Sequence, residues 1–157
     1  MRPGLVALLA AAVLVVGLRT GVAAPVRVTG DSLGPTLHPG DVVLGDKTDR
    51  TPARGDLVTF TPPGEGGLSV KRVVGVAGDV VAIRDALLYV DDQLVPESYV
   101  DHESIDALYF GPVTVQQDTV LVLGDRRAVS VDSRAYGAVP LADLQGRVVT
   151  TLWEAGR

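Results

Sequence analysis

Ser32 and Lys71 are the residues whose settings point most directly to chemistry. Ser32 stands in Gly30-Asp31-Ser32-Leu33-Gly34-Pro35-Thr36-Leu37, followed by His38-Pro39-Gly40-Asp41-Val42-Val43. It follows a β-like run, is flanked by glycines and precedes a proline. Glycine lets a backbone approach another chain closely and proline stiffens a turn, so a hydroxyl here could be held in a fixed pose. An ordinary turn serine has the same surroundings. Lys71 lies in the apolar run Ser69–Val76. Side chains alternate along a strand, so Lys71, Val73 and Gly75 share one face and Arg72 points the other way. Burial of that face would lower the lysine pKa and leave a neutral amine able to accept a proton near neutral pH. A lysine guarding a strand edge against aggregation fits the same pattern.

A third stretch, Gly124-Asp125-Arg126-Arg127-Ala128-Val129-Ser130-Val131-Asp132-Ser133-Arg134-Ala135-Tyr136-Gly137, follows a strongly apolar strand. Its hydroxyls, carboxylates and guanidiniums could form a hydrogen-bonded network that fixes other residues, or a solvated loop. His38 and His102 lack the partners of a catalytic triad and read as loop residues. The chain has no cysteine, which removes disulfides, thiolate metal sites and cysteine nucleophiles. Asp91-Asp92 lacks calcium-loop spacing and Gly66-Gly67 is no phosphate loop, so neither a metal nor a cofactor is expected.

The elements that must position these residues read as short strands. β-like runs occupy Val26–Thr29, Val42–Leu44, Leu57–Phe60, Ser69–Val76, Val80–Ile83, Leu87–Val90, Gln93–Val95, Val113–Val115, Val120–Leu123 and Arg147–Leu152. Turn signals separate them at Pro39-Gly40-Asp41, Arg54-Gly55-Asp56, Pro62 to Gly67 and Gly78-Asp79. Asp91-Asp92 predicts a tight hairpin, without the glycine that usually favours one. Pro96 to Pro112 reads as a surface loop and Trp153 as a packing residue. The 157 residues include 18 glycines and 10 prolines, which fits one turn-rich domain. The expected fold is mainly β, an antiparallel barrel-like or folded sheet over residues 25–157.

Ahead of that domain, Gly4 to Leu18 is an unbroken run of apolar residues and glycine, preceded by Arg2. As a helix it spans about 22 Å, short of a hydrocarbon core of roughly 30 Å. Continuation to Ala24, with Arg19 reaching the interface, would lengthen it. A cleavable leader ending in Val22-Ala23-Ala24 competes with an uncleaved anchor over residues 3–24. Pro25 favours the anchor, because it would follow the only obvious cleavage site and it constrains the backbone there. Arg2 before the run and Arg19 and Arg27 after it leave topology unsettled by charge. The whole chain carries −5; without its first 24 residues it has 12 basic and 19 acidic residues, or −7. Such a domain is a poor polyanion binder, so no nucleic-acid partner is expected.

Taken together and in this order, the motifs resemble the boxes of bacterial type I signal peptidases. Those are a nucleophilic serine followed by Met-x-Pro-Thr-Leu, then Gly-Asp, Arg-Gly-Asp, Lys-Arg and Gly-Asp-Asn-Arg-x-x-Ser-x-Asp-Ser-Arg. Here they stand as Ser32 with Pro35-Thr36-Leu37, Gly40-Asp41, Arg54-Gly55-Asp56, Lys71-Arg72, and Gly124-Asp125 through Arg134. The hairpin from Leu88 to Gln93 followed by Val95-Pro96-Glu97 is also similar. Leu33 replaces methionine, Arg126 stands at the asparagine position, and Gly30 occupies a place where some relatives carry a hydroxyl.

The resemblance implies a single-pass protein of the bacterial cell membrane, in contact with the lipid bilayer. Its catalytic domain would face the extracytoplasmic side and remove signal peptides from secretory preproteins. It implies Ser32 as nucleophile, Lys71 as general base and the Ser32 backbone N–H as an oxyanion donor. Ser130 would orient the lysine amine, and Asp125, Asp132, Arg72 and Arg134 would form the supporting network. Small side chains are expected at the residue before the cut and two residues further upstream, with Val26–Thr29 and Val80–Ile83 as candidate pocket walls. A peptidase dedicated to one secreted protein and a catalytically dead binding protein are the competing readings.

Overall fold

The computed structural model describes residues 4, 8, 11–13, 15–17, 21–64, 66–100 and 109–156. Among the described residues, eleven strands form two antiparallel sheets. The larger sheet runs β1 (Ala23–Arg27), β2 (Val42–Asp46), β11 (Leu144–Trp153), β3 (Leu57–Phe60), β4 (Ser69–Gly75), β9 (Thr119–Leu123) and β10 (Val139–Pro140). The smaller runs β7 (Gln93–Leu94), β6 (Leu87–Val90), β5 (Val80–Arg84) and β8 (Phe110–Thr114). The expected mainly-β, folded antiparallel sheet is the fold observed.

Alternation and turn chemistry account for the larger features. Val74, Leu121 and Leu123 of the first sheet meet Val81, Ile83, Leu88 and Val90 of the second in one buried cluster. Val58, Phe60, Val73, Val122 and Leu144 fill another beneath the larger sheet. Asp91 and Asp92 both adopt positive φ, 52° and 61°, between β6 and β7. That is the backbone of a two-residue hairpin, and aspartate tolerates it better than most residues because its side chain can bond locally.

Several expectations shift. The first strand begins at Ala23 and not at Val26, with Ala23, Ala24 and Pro25 opposite Asp46, Gly45 and Leu44. The sheet therefore takes in the last two residues of the expected 3–24 anchor. Much of that segment lies outside the described residues; residues 11–13 and 15–17 are helical. Among the described residues no helix is long and apolar enough to cross a membrane. His102 also lies outside them. Phe110–Thr114 is a strand, so the expected loop from Pro96 ends earlier than Pro112. Trp153 is 66% exposed at the end of β11, so it is not the packing residue expected. Val81 and Ile83 of β5 are buried among the residues joining the sheets, Val80 is exposed, and the expected Val80–Ile83 wall is not among the residues lining the cleft described below.

The segment between β1 and β2 is a closed loop carrying Ser32. Its ends are joined by Val28 N–H to Asp41 O and Gly40 N–H to Val28 O, both 2.8 Å. Leu33 and Leu37 turn inward and pack with Val28, Val43 and Val70. The fully buried Asp41 carboxylate accepts from the His38 N–H at 2.9 Å and from the Ala155 N–H at 2.8 Å. The stretch after β11 is thereby tied to the base of the Ser32 loop.

Candidate active site

Register delivers Lys71. In the β4–β9 pair Val73 faces Val122 and Arg72 faces Leu123. Continuing that register sets Lys71 beside Gly124, where the polar loop after β9 begins. Lys71 is only 4% exposed. Its Nζ donates to Ser130 Oγ at 3.2 Å.

Ser32 reaches the same place from the other side. A cleft of about 430 Å³ is lined by both Ser32 and Lys71, with Val28 to Asp31 and Leu33 on one wall and Gly67 to Val70 on the other. Val129 and Val131 flank it. Of the two expected pocket walls, the Val26–Thr29 run contributes Val28 and Thr29, and the second wall is the start of β4. The Ser32 carbonyl accepts from the Arg126 N–H at 3.0 Å.

Gly124 is the residue the two sides share. A Cβ built on it would lie 2.2 Å from Ser130 Oγ and 2.6 Å from the Ser32 carbonyl oxygen. Only glycine lets the serine loop and the Ser130 loop close over this point of the strand.

The expected supporting residues form two connected clusters. Arg72 Nε donates to Asp125 Oδ1 at 2.8 Å and Nη2 to Oδ2 at 2.6 Å, a two-pronged pair. Arg72 also donates to the Gly55 carbonyl at 2.9 Å and to Thr36 Oγ1 at 3.2 Å, and Thr36 donates to Asp125 at 2.5 Å. Burial works against the Arg72 charge, but the hydrogen bonds and charge of Asp125 outweigh it and hold the guanidinium above its ordinary pKa. Asp132 accepts from the Gly124 N–H at 3.0 Å and caps the short helix Ser133–Tyr136. Arg134 pairs with Asp132 and donates to the Ser130 carbonyl at 3.1 Å and the Arg127 carbonyl at 2.7 Å. Arg134 thus holds the backbone of the residue that contacts Lys71.

Five participants were not anticipated: Thr36, Gly124, Arg127, Glu97 and Tyr99. Thr36 joins the serine loop to Asp125. Gly124 has the contacts just described. Arg127 forms a buried ion pair with Glu97 at 2.5 Å and donates to the Gly124 carbonyl at 3.0 Å. Tyr99 lies under the Arg72 guanidinium, 3.9 Å from its ring centre. Burial first, then the Glu97 carboxylate, push the Tyr99 phenol up to about 12. The Arg126 side chain, at the position that departs from the resembled pattern, pairs with Asp31.

A hydroxyl and a buried amine that line one cleft, with a second hydroxyl bonded to the amine, suit proton transfer from the first hydroxyl and its use as a nucleophile.

Comparison with known proteins gives a concordant result. A family model described as signal peptidase, peptidase S26, matches residues 2–153. A probable signal peptidase I-2 of Synechocystis sp. is 34% identical over 156 residues, covering 94% of this chain and 71% of that protein. Signal peptidase I of Bacillus licheniformis is 34% identical over 139 residues, covering 82% and 75%. The chloroplastic thylakoidal processing peptidase 1 of Arabidopsis thaliana is 34% identical over 149 residues, covering 86% of this chain and 43% of that protein. The crystal structure of a signal peptidase I from Enterococcus faecalis superposes with a TM-score of 0.54 at 31% identity, covering 64% of this chain and 97% of that one.

Proposed function

This chain belongs to the signal peptidase, peptidase S26, family and is a serine endopeptidase that cleaves signal peptides from secreted preproteins; on that basis we propose that Ser32 is its nucleophile and Lys71 its general base. The neutral Lys71 amine takes the Ser32 proton as Oγ attacks the scissile carbonyl. The oxyanion is stabilised by the Ser32 backbone N–H, and the leaving amine collects the proton from Lys71. Water, deprotonated by the same amine, then hydrolyses the acyl-enzyme. Ser130 orients the amine, and Asp125, Asp132, Arg72 and Arg134 hold Ser130 and the strands in register.

The observation that carries this reading is the hydrogen bond from buried Lys71 to Ser130 inside the cleft that Ser32 also lines. The aliphatic residues of the cleft, Val28, Leu33 and Val70, match the small residues that precede the cut in signal peptides. The apolar run within residues 3–24 is proposed to anchor the enzyme in the bilayer, with the catalytic domain on the extracytoplasmic side.

Cleavage of several preproteins by the full chain, with Ser32→Ala and Lys71→Arg as companions, tests the assignment. Both variants are expected to lose activity with the fold intact, because a guanidinium does not deprotonate in the working range. An active Lys71→Arg enzyme overturns the base assignment.

A further inference from the structure

We propose that Arg126 forms a subsite for the segment of the preprotein that follows the cut, and that it selects an acidic side chain there. The inference rests on the reading of Ser32 as nucleophile with the upstream residues in the aliphatic cleft. A second cavity, of about 420 Å³, is lined by Asp31, Gly34, Pro35, His38 and Arg126. Asp31 lines both this cavity and the Ser32–Lys71 cleft. The two therefore meet at the residue just before the nucleophile. A polypeptide whose scissile bond lies at Ser32 fills one with the residues before the bond and the other with those after it. Chemistry sets the direction. The residues before the cut are small and apolar and match the aliphatic cleft. The second cavity carries an arginine, a histidine and a single carboxylate.

Arg126 is placed to read that segment. Its backbone N–H is bonded to the Ser32 carbonyl, which fixes its Cα against the nucleophile. Its guanidinium pairs with Asp31, and the two side chains are 45% and 44% exposed. An ion pair so accessible to water is weak and exchangeable. An incoming carboxylate can take the place of Asp31 on the guanidinium, while an incoming ammonium meets the arginine charge. Gly34 leaves room for this exchange: a Cβ there would sit 3.3 Å from Asp31 Oδ1 and 3.9 Å from Arg126 Cδ. The substrate feature recognised is thus an aspartate or glutamate among the first two residues of the released protein.

The test uses one preprotein with Glu, Ser or Lys at the first, and separately at the second, residue after the cut. The measured quantity is kcat/KM for each. At one of the two positions Glu is expected to exceed Lys by about two- to fivefold at low salt, the range of an exposed ion pair. The ratio should shrink as salt is raised. In Arg126→Asn it should fall to about one, whatever the overall rate of that variant. In Asp31→Asn it should widen, because the guanidinium loses its competing carboxylate. A flat series in an enzyme that cleaves all six substrates overturns the subsite. A ratio that survives in Arg126→Asn overturns the assignment to Arg126. Failure of the unaltered enzyme to cleave any of them, with Ser32→Ala indistinguishable from it, instead removes the catalytic reading on which the subsite depends.

Discussion

Lys71 Nζ and Ser130 Oγ are 3.2 Å apart, although 59 residues separate them in the chain. One strand supplies the amine and a loop held by Arg134 supplies the hydroxyl. Ser130→Ala is expected to lower kcat about 10²-fold, the scale for misplacing a reacting group by about 1 Å. The acidic limb of kcat/KM against pH should follow Lys71, whose protonated form cannot accept the serine proton. A hydrogen bond donated by the amine favours its charged form. Its loss should therefore move that limb toward lower pH even as the rate falls. A limb that stays in place would show that Ser130 does not tune Lys71.

Gly124→Ala should separate activity from stability. The added methyl meets Ser130 and the Ser32 carbonyl at distances that no side chain tolerates. Overpacking of this kind destabilises by about 1–3 kcal/mol. The effect on turnover should be far larger, because the displaced groups are the serine loop and the hydroxyl that contacts Lys71. Chemical denaturation alongside a cleavage assay measures both; full activity in a folded Gly124→Ala protein would contradict the close approach.

Removing Arg72 should expose the cost of an unmatched Asp125, which is 1% exposed. Arg72→Met is expected to destabilise by about 3–5 kcal/mol, the usual range when one member of a buried pair is deleted. Arg72→Lys should recover part of this, since it keeps the charge but not the two-pronged geometry. Arg72→Met combined with Asp125→Leu should be less destabilised than Arg72→Met alone. Urea midpoints for the four proteins decide the order.

The Tyr99 phenol supplies an alkaline signature. Its pKa is raised in the folded protein from 10.0 to about 12. The folded state therefore holds that proton more tightly than the unfolded chain does. The stability associated with it is fully present below pH 10 and is lost as pH climbs toward about 12. Spectrophotometric titration should find a phenol ionising near the upper value, and Tyr99→Phe should abolish that phase.

The sequence made the polar machinery legible where its members are neighbours in the chain. Asp132 and Arg134 bond across one turn, and Lys71-Arg72 places base and network on opposite faces of one strand. Their long-range partners were hidden. Glu97 meets Arg127 across 30 residues and Thr36 meets Asp125 across 89, and no local periodicity marks such pairs. The start of strand β1, ahead of the expected Val26, was hidden for another reason. Ala23 and Ala24 have weak β-propensity and continue an apolar helical run, and only pairing with β2 draws them into the sheet. Pro112 and Gly111 masked the first half of β8, since both residues argue against a strand interior. Trp153 shows the limit of inferring burial from residue type, because the end of β11 has no layer above it among the described residues.

The strand order has a temporal meaning. Within the larger sheet the β1–β2 hairpin, which carries Ser32, joins β3 and β4, which carry Lys71, only through β11. The base of the serine loop is closed by Asp41 on Ala155. A chain emerging from the ribosome at about 5–20 residues per second has made Ser32 and Lys71 many seconds before it makes β11. Until then the two halves of the site have no shared sheet. The order of synthesis thus sets the order of assembly: the serine loop and the lysine strand share one sheet only once β11 is in place.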